Sequence, residues 1–190
     1  MIGIWNPFRR GQAQQRLCDT LYRGLMAAAL APEPYAAGVV PDDMDRRVQM
    51  VSLHAALLTW QLSQRPEPGL RRLVRPIHTR VFDGFDASLR ETGVGDASIA
   101  RKVRKLGEHY YGLGAAAAEV LSGPLASRES GLAGLLRRNG VTAPGREDDL
   151  ACHIADLASL FEAASSEAFL AGQAPWEAYP ATSRRGVAKV

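Results

Sequence analysis

The chain has 190 residues, 46% of them hydrophobic and 23% charged, which suits one globular domain with a full core and is short for two. Its 23 basic residues stand against 20 acidic ones, a net charge of +3, too balanced for a dedicated nucleic-acid binder that works by neutralising phosphates. The longest unbroken apolar run, Leu25 to Ala31, is far below the length of a membrane span.

The first ten residues, MIGIWNPFRR, set Trp5 and Phe8 beside Arg9 and Arg10. Aromatic rings next to cations suit a membrane interface, although two arginines attract an anionic surface only weakly. The same residues could equally fold back on the core or hang free. Residues 1–11 are therefore read as a flexible or membrane-interfacial N-terminus. Asn6 and Pro7 interrupt the segment too early for a secretory signal. The expected compartment is the cytoplasm, with a peripheral place on the cytoplasmic face of the inner membrane if the interfacial reading holds.

Residues 12–172 read as one helical domain. Gln12 to Leu30 predicts a first helix, with Leu17, Leu21, Leu25 and Ala28 inward and Pro32 and Pro34 after its end. Ala36 to Pro41 reads as loop. Asp42 and Asp43 supply an N-cap and an acidic first turn for a second helix reaching about Ser63, with Met44, Val48, Val51, Ala55, Leu58 and Leu62 as its stripe. Pro66 to Gly69 breaks the chain. A third helix follows from Leu70, and Pro76 is expected to kink or split it near Arg75. The helix that starts at Asp96 is expected to loosen at Gly112 and Gly114 and to end at Gly123-Pro124. Leu125 to Arg138 is a shorter helix closed by Asn139-Gly140, and Glu147 to Leu170 is one last long helix. Residues 173–190 read as a mostly extended tail that frays. No segment alternates with period two for long. The fold class is thus all-α, a single-domain bundle of about six to seven helices with a tight helical hairpin around residues 93–96.

That hairpin is the most informative stretch. Leu73, Ile77, Val81, Phe85 and Leu89 recur every four positions and form one helix face. Asp83, Asp86 and Arg90 share another, and Arg80–Asp83 and Asp86–Arg90 are spaced to form ion pairs. Gly93 fits the left-handed position beyond a helix end, and Asp96 fits the next N-cap. Ile99, Val103, Leu106, Tyr110, Leu113 and Ala117 continue as an apolar stripe, with Arg101, Lys102, Arg104 and Lys105 mostly off it. Tyr110 lies on the stripe. Tyr111 points elsewhere, either to pack at a helix crossing or to anchor a binding groove.

Several constellations have simpler explanations than chemistry. Asp42, Asp43 and Asp45 with Asp83 and Asp86 resemble the acidic pairs by which helical prenyl-transfer enzymes hold magnesium diphosphate. Their spacing fits poorly, and helix capping and ion pairing account for them better. The Gly93-Val94-Gly95-Asp96 turn could cradle phosphate, but the Asp96 carboxylate would repel it. His54, His78, His109 and His153 stand singly in helices, which gives little support for haem. Cys18 and Cys152 are far apart and read as reduced, buried thiols. No catalytic residue, metal ligand or cofactor is assigned.

The hairpin also resembles a family block. Phe82, Asp83, Asp86, Leu89, Arg90, Glu91, Gly93, Val94, Gly95, Asp96, Lys102, Val103, Tyr111 and Gly112 match the pattern F-x-D-M-D-x-x-L-R-E-M-G-V-G-D, followed by a basic helix ending in aromatic-Tyr-Gly. This is the pattern of the ubiquinol–cytochrome c chaperone family, the assembly factors of the cytochrome bc1 complex. Gly84, Phe85, Thr92 and Leu113 depart from it. The resemblance covers roughly residues 12 to 172, more faintly outside the block, where Leu53 to Leu62 sits at an apolar family helix. It implies a non-enzymatic chaperone that binds newly made cytochrome b, or another bc1 subunit, stoichiometrically in a groove flanked by the hairpin. It also leaves room for a second chaperone subunit, and no nucleic-acid partner is expected. Asp83, Asp86, Arg90, Asp96, Lys102 and Tyr111 are the expected partner contacts, and Trp5, Phe8, Arg9 and Arg10 the expected membrane contacts. The alternatives are a small helical enzyme acting on an isoprenoid or other diphosphate, and a general helical adaptor.

Overall fold

A helix that is apolar on every side must be surrounded by others, and one segment of this chain meets that description. Helix α3, Met44–Gln64, buries thirteen of its 21 residues, from Val48 to Leu62. Asp43 starts it from an extended backbone, its carboxylate accepting the Arg46 N–H at 2.9 Å. Around this axis stand α1 (Pro7–Ala29), α5 (Val74–Glu91), α6 (Asp96–Ser122), α7 (Leu125–Asn139) and α8 (Glu147–Ala163). Three single turns complete the set: α2 (Glu33–Ala36), α4 (Pro68–Arg71) and α9 (Ser166–Leu170). The structure, a computed structural model, describes residues 7–91 and 96–180, with side-chain surroundings at 11–91 and 101–180. Six long helices and no strand occur among the described residues, in one helical domain.

Side-chain contacts give the helix directions. Asp19 meets Arg80 at 2.7 Å and Tyr22 reaches Gly84, so α1 and α5 run parallel. His78 meets Tyr110 and Phe82 meets Gly107, so α5 and α6 are antiparallel. Gly114 packs on Ala56 while Trp60 bonds Ser122, so α3 and α6 are parallel neighbours. Arg128 pairs with Glu162, and Arg137 lies 3.8 Å from Glu147, which sets α7 and α8 antiparallel.

Boundaries differ from the sequence reading in instructive places. Helix α1 begins at Pro7, so residues 7–11 extend the helix expected from Gln12. Proline is suited to a first turn, where its missing N–H has no partner to lose. The same reason removes the expected kink at Pro76. The chain breaks earlier, between α4 and α5, and Pro76 falls in the first turn of an uninterrupted α5. Helix α6 runs through Gly112 and Gly114 without loosening, held by its packing on α3.

Met44 is exposed although it sits on the predicted stripe of α3, because it lies in the first turn beyond the core. The last helix ends at Ala163. Ser165 then caps a separate turn, accepting the Ala168 N–H at 3.2 Å. Gly140 closes α7 in the left-handed conformation, at φ 59°, as its position predicts.

Residues 173–180 are non-helical and lie on the core rather than loose, and the rest of the expected tail lies outside the described residues. Trp176 packs edge-on against Phe161 with ring centroids 4.6 Å apart, and Tyr179 is buried against His153. Both cysteines are free thiols, Cys18 buried and Cys152 partly exposed.

Candidate functional site

The hairpin helices meet through a cluster of aromatic rings. Phe82 and Phe85 of α5 stand edge-on to Tyr110 of α6 at 5.2 and 6.1 Å. Gly107 makes this approach possible, since a Cβ there would come within 3.2 Å of the Phe82 ring. Tyr110 is buried and continues the core stripe, whereas Tyr111 is 54% exposed. The Tyr111 ring lies over Phe82, with centroids 5.4 Å apart and planes 28° from parallel, and 5.7 Å from the His78 ring. His78 Nδ1 and the Tyr110 hydroxyl are 2.6 Å apart. Burial pushes the His78 imidazole below its ordinary value and the Tyr110 phenol above its own, so both are neutral at pH 7.

Beside these rings a trough of about 290 Å³ opens between α3, α5 and α6. Ser52, Ala56, Thr59, Trp60 and Ser63 of α3 form one wall, and Gly114, Ala115 and Ala118 of α6 the other. Val74 and His78 close it from α5, with Tyr110 and Tyr111 at the same side. No residue lining it is acidic or basic in side-chain charge.

Its serine and threonine hydroxyls are also spent. Ser52 donates to the Val48 carbonyl at 2.8 Å, Thr59 to Ala55 at 2.7 Å and Ser63 to Trp60 at 2.6 Å. Trp60 Nε1 donates to Ser122 Oγ at 2.9 Å, and that hydroxyl donates to Ala118. Serine and threonine that bond back to their own helix present mainly carbon to their surroundings. The trough is therefore an apolar surface with small-residue walls and an aromatic edge. It can hold an apolar segment, and it offers no nucleophile paired with a charged acid or base.

Of the five expected partner contacts whose side chains are described, Tyr111 alone lines this trough. Asp83 faces the other side of α5, in a groove of about 490 Å³ shared with α1, where its charge helps push the Tyr22 phenol upward after burial. Asp86 and Arg90 form the expected ion pair at 2.7 Å. Arg80 does not pair with Asp83 as expected. It reaches across to Asp19 of α1, a partner that helical spacing could not reveal. Lys102 is exposed nine residues before Tyr111, about half a turn away around α6.

Asp96 begins α6, and its side chain lies outside the described set, as do the 92–95 turn and Trp5. Phe8, Arg9 and Arg10 fall in the first turns of α1, also without described side chains. Trp60 and the small residues of both walls were not singled out by the sequence, and His78 was weighed only as one of four lone helical histidines. Their signal was present in the spacing of Ser52, Ala56, Thr59 and Ser63 and in the alanine run after Gly114.

Asp42 and Asp43 of the acidic cluster are accounted for locally. Asp42 is bonded by Arg47 at 2.7 Å, which holds its carboxyl below the usual range, and Asp43 caps α3. Among the described residues no three His, Cys, Asp or Glu side chains group as metal ligands would. No helix among them is long and apolar enough to cross a membrane.

The model of the family described as "Ubiquinol-cytochrome C chaperone" matches residues 37–176. The chain belongs to the ubiquinol–cytochrome c chaperone family. The match contains every element of the trough and runs on to Trp176 of the C-terminal strap, while helix α1 lies before it. The crystal structure of the Cbp3 homolog from Brucella abortus shares the fold, with a TM-score of 0.75 and 28% identity over 89% of this chain and 93% of that one. No curated protein sequence matches significantly.

Proposed function

We propose that this chain is an assembly chaperone of the cytochrome bc1 complex, and that it works by binding newly made cytochrome b one to one rather than by catalysis. The observation that carries the reading is the uncharged trough beside Tyr111, inside the stretch that matches the chaperone family. A membrane protein has apolar helix surface uncovered before its partners arrive. A small-walled groove with a rigid aromatic anchor suits such a surface. Displacement by partner subunits, or by completion of the client's cofactors, then releases the chaperone. Other bc1 subunits, and a second chaperone subunit, remain partners of the same proposal. Asp83, Asp86, Arg90, Asp96 and Lys102 belong to it as further polar contacts.

Deleting the gene and measuring assembled bc1 complex and cytochrome b tests the role. Both are expected to fall, and unchanged levels of both overturn the assembly claim. Client capture by Tyr111→Ala and Lys102→Glu tests the surface. Loss on Tyr111→Ala supports the trough, loss on Lys102→Glu alone moves the contact to the far side of α6, and undiminished capture by both rejects the hairpin.

A further inference from the structure

Among the stretches of this chain that lack any acidic residue are 1–18, with Arg9, Arg10 and Arg16, and 68–82, with Arg71, Arg72, Arg75 and Arg80. They are far apart in sequence, yet residues 7–18 and 68–82 form the first turns of α1 and of α4–α5. Gln14 of α1 reaches the Gly69 carbonyl at 3.4 Å, and Gly11 and Gln15 share a groove with Arg75 and Pro76. The fold thus gathers residues 11–18 and 68–82 along one edge.

Two of the arginines are engaged. Arg80 pairs with Asp19 at the inner end of the edge, and Arg71 donates to the carbonyls of Arg65 and Pro66 at 2.7 and 2.8 Å. Arg16, Arg72 and Arg75 are exposed, and no carboxylate among the described residues pairs with them. Glu67, the acid closest in sequence to Arg72, has a buried carboxylate oxygen. Arg9 and Arg10 follow in the first turns of α1, a helix with no acid in its first turn although acids are favoured there. Folding does not account for cations at these positions.

The edge is also apolar in part. Between residues 11 and 17 of α1 no side chain is fully buried. Leu170, 47% exposed, lines a groove with Arg16.

We propose that this α1/α4–α5 edge docks on an anionic lipid surface, with Arg16, Arg72 and Arg75 facing the headgroups. A cationic edge carrying exposed apolar residues is complementary to a negatively charged bilayer surface. Val74 lines the trough and its neighbour Arg75 lines the edge, so a docked molecule holds the trough close to the bilayer. The proposal does not rest on the chaperone reading, and its failure would leave that reading intact.

The test is sedimentation of the full chain with phosphatidylcholine vesicles, with and without phosphatidylglycerol. Binding is expected only with phosphatidylglycerol and is expected to weaken as salt is raised. Arg72→Glu/Arg75→Glu is expected to weaken it about tenfold or more, and Arg16→Glu on the other helix is expected to weaken it independently. Arg101→Glu/Lys105→Glu changes net charge equally on an exposed part of α6 and is expected to bind like the parent. No sedimentation with anionic vesicles overturns the proposal, as does equal loss in both double variants, which would reduce the effect to net charge.

Discussion

Tyr111→Ala separates the structural role of the hairpin aromatics from their proposed role in binding. The ring is 54% exposed and gains its fixed position mainly from lying over Phe82 at 5.4 Å. A stacked aromatic pair contributes about 0.5–1.5 kcal/mol beyond area burial, and the covered half of the ring adds a similar amount. The expected loss of stability is therefore about 1.5 kcal/mol. For a chain of this length that is a fall in Tm of about 3–6 °C. A central aromatic anchor is worth about 2 kcal/mol or more to a complex, so client affinity should fall about thirtyfold.

Tyr110→Phe is the control. It removes the hydroxyl 2.6 Å from His78, at a cost of about 1–2 kcal/mol, while keeping the ring and the trough. Its Tm should fall about as far, with capture of a cytochrome b segment unchanged. Circular-dichroism melts and direct binding titrations read the two quantities. Equal affinity in Tyr111→Ala and the parent, with the expected fall in Tm, would refute the anchor. Equal loss of affinity in both variants would show that binding merely follows stability.

The chain should lose stability in mild acid. Burial holds His54 down to about 4, so below its ordinary value near 6.5 the unfolded chain takes up a proton that the folded one refuses. Stability is full above that value and falls by up to about 3 kcal/mol as pH drops towards 4. His78, shifted the same way by burial, adds to it. Denaturant melts of His54→Leu should show a flatter acid limb, and an unchanged limb would reject the assignment. Gly131→Ala should cost about 1–3 kcal/mol, because its Cβ would come 2.8 Å from Val120 Cγ1 where α7 crosses α6. Adding Val120→Ala should recover part of that loss in a double-mutant cycle, and strict additivity would refute the clash. Trp176→Ala should lower stability by about 3 kcal/mol through lost packing on Phe161 and His54; a melt like the parent's would show that the strap carries no load.

The helices, their caps and much of the core were legible because each depends on neighbours a few residues away. Asp43, Gly140 and the stripe from Leu73 to Leu89 all act within one or two turns, and so did the Asp86–Arg90 pair. The family block was legible for a related reason, being one continuous run whose residues carry the resemblance without the fold.

What the tertiary structure alone decided is which faces meet. Arg80 left its helical neighbour Asp83 for Asp19 on another helix, and Pro76 became harmless once the break fell before it. The trough and the arginine edge are both made from segments remote in sequence. No periodicity within one helix can say which other helix will stand beside it, because that choice belongs to packing around α3. Local spacing therefore determined what each segment is, and the shared burial of all of them determined what Tyr111 and the arginines stand next to.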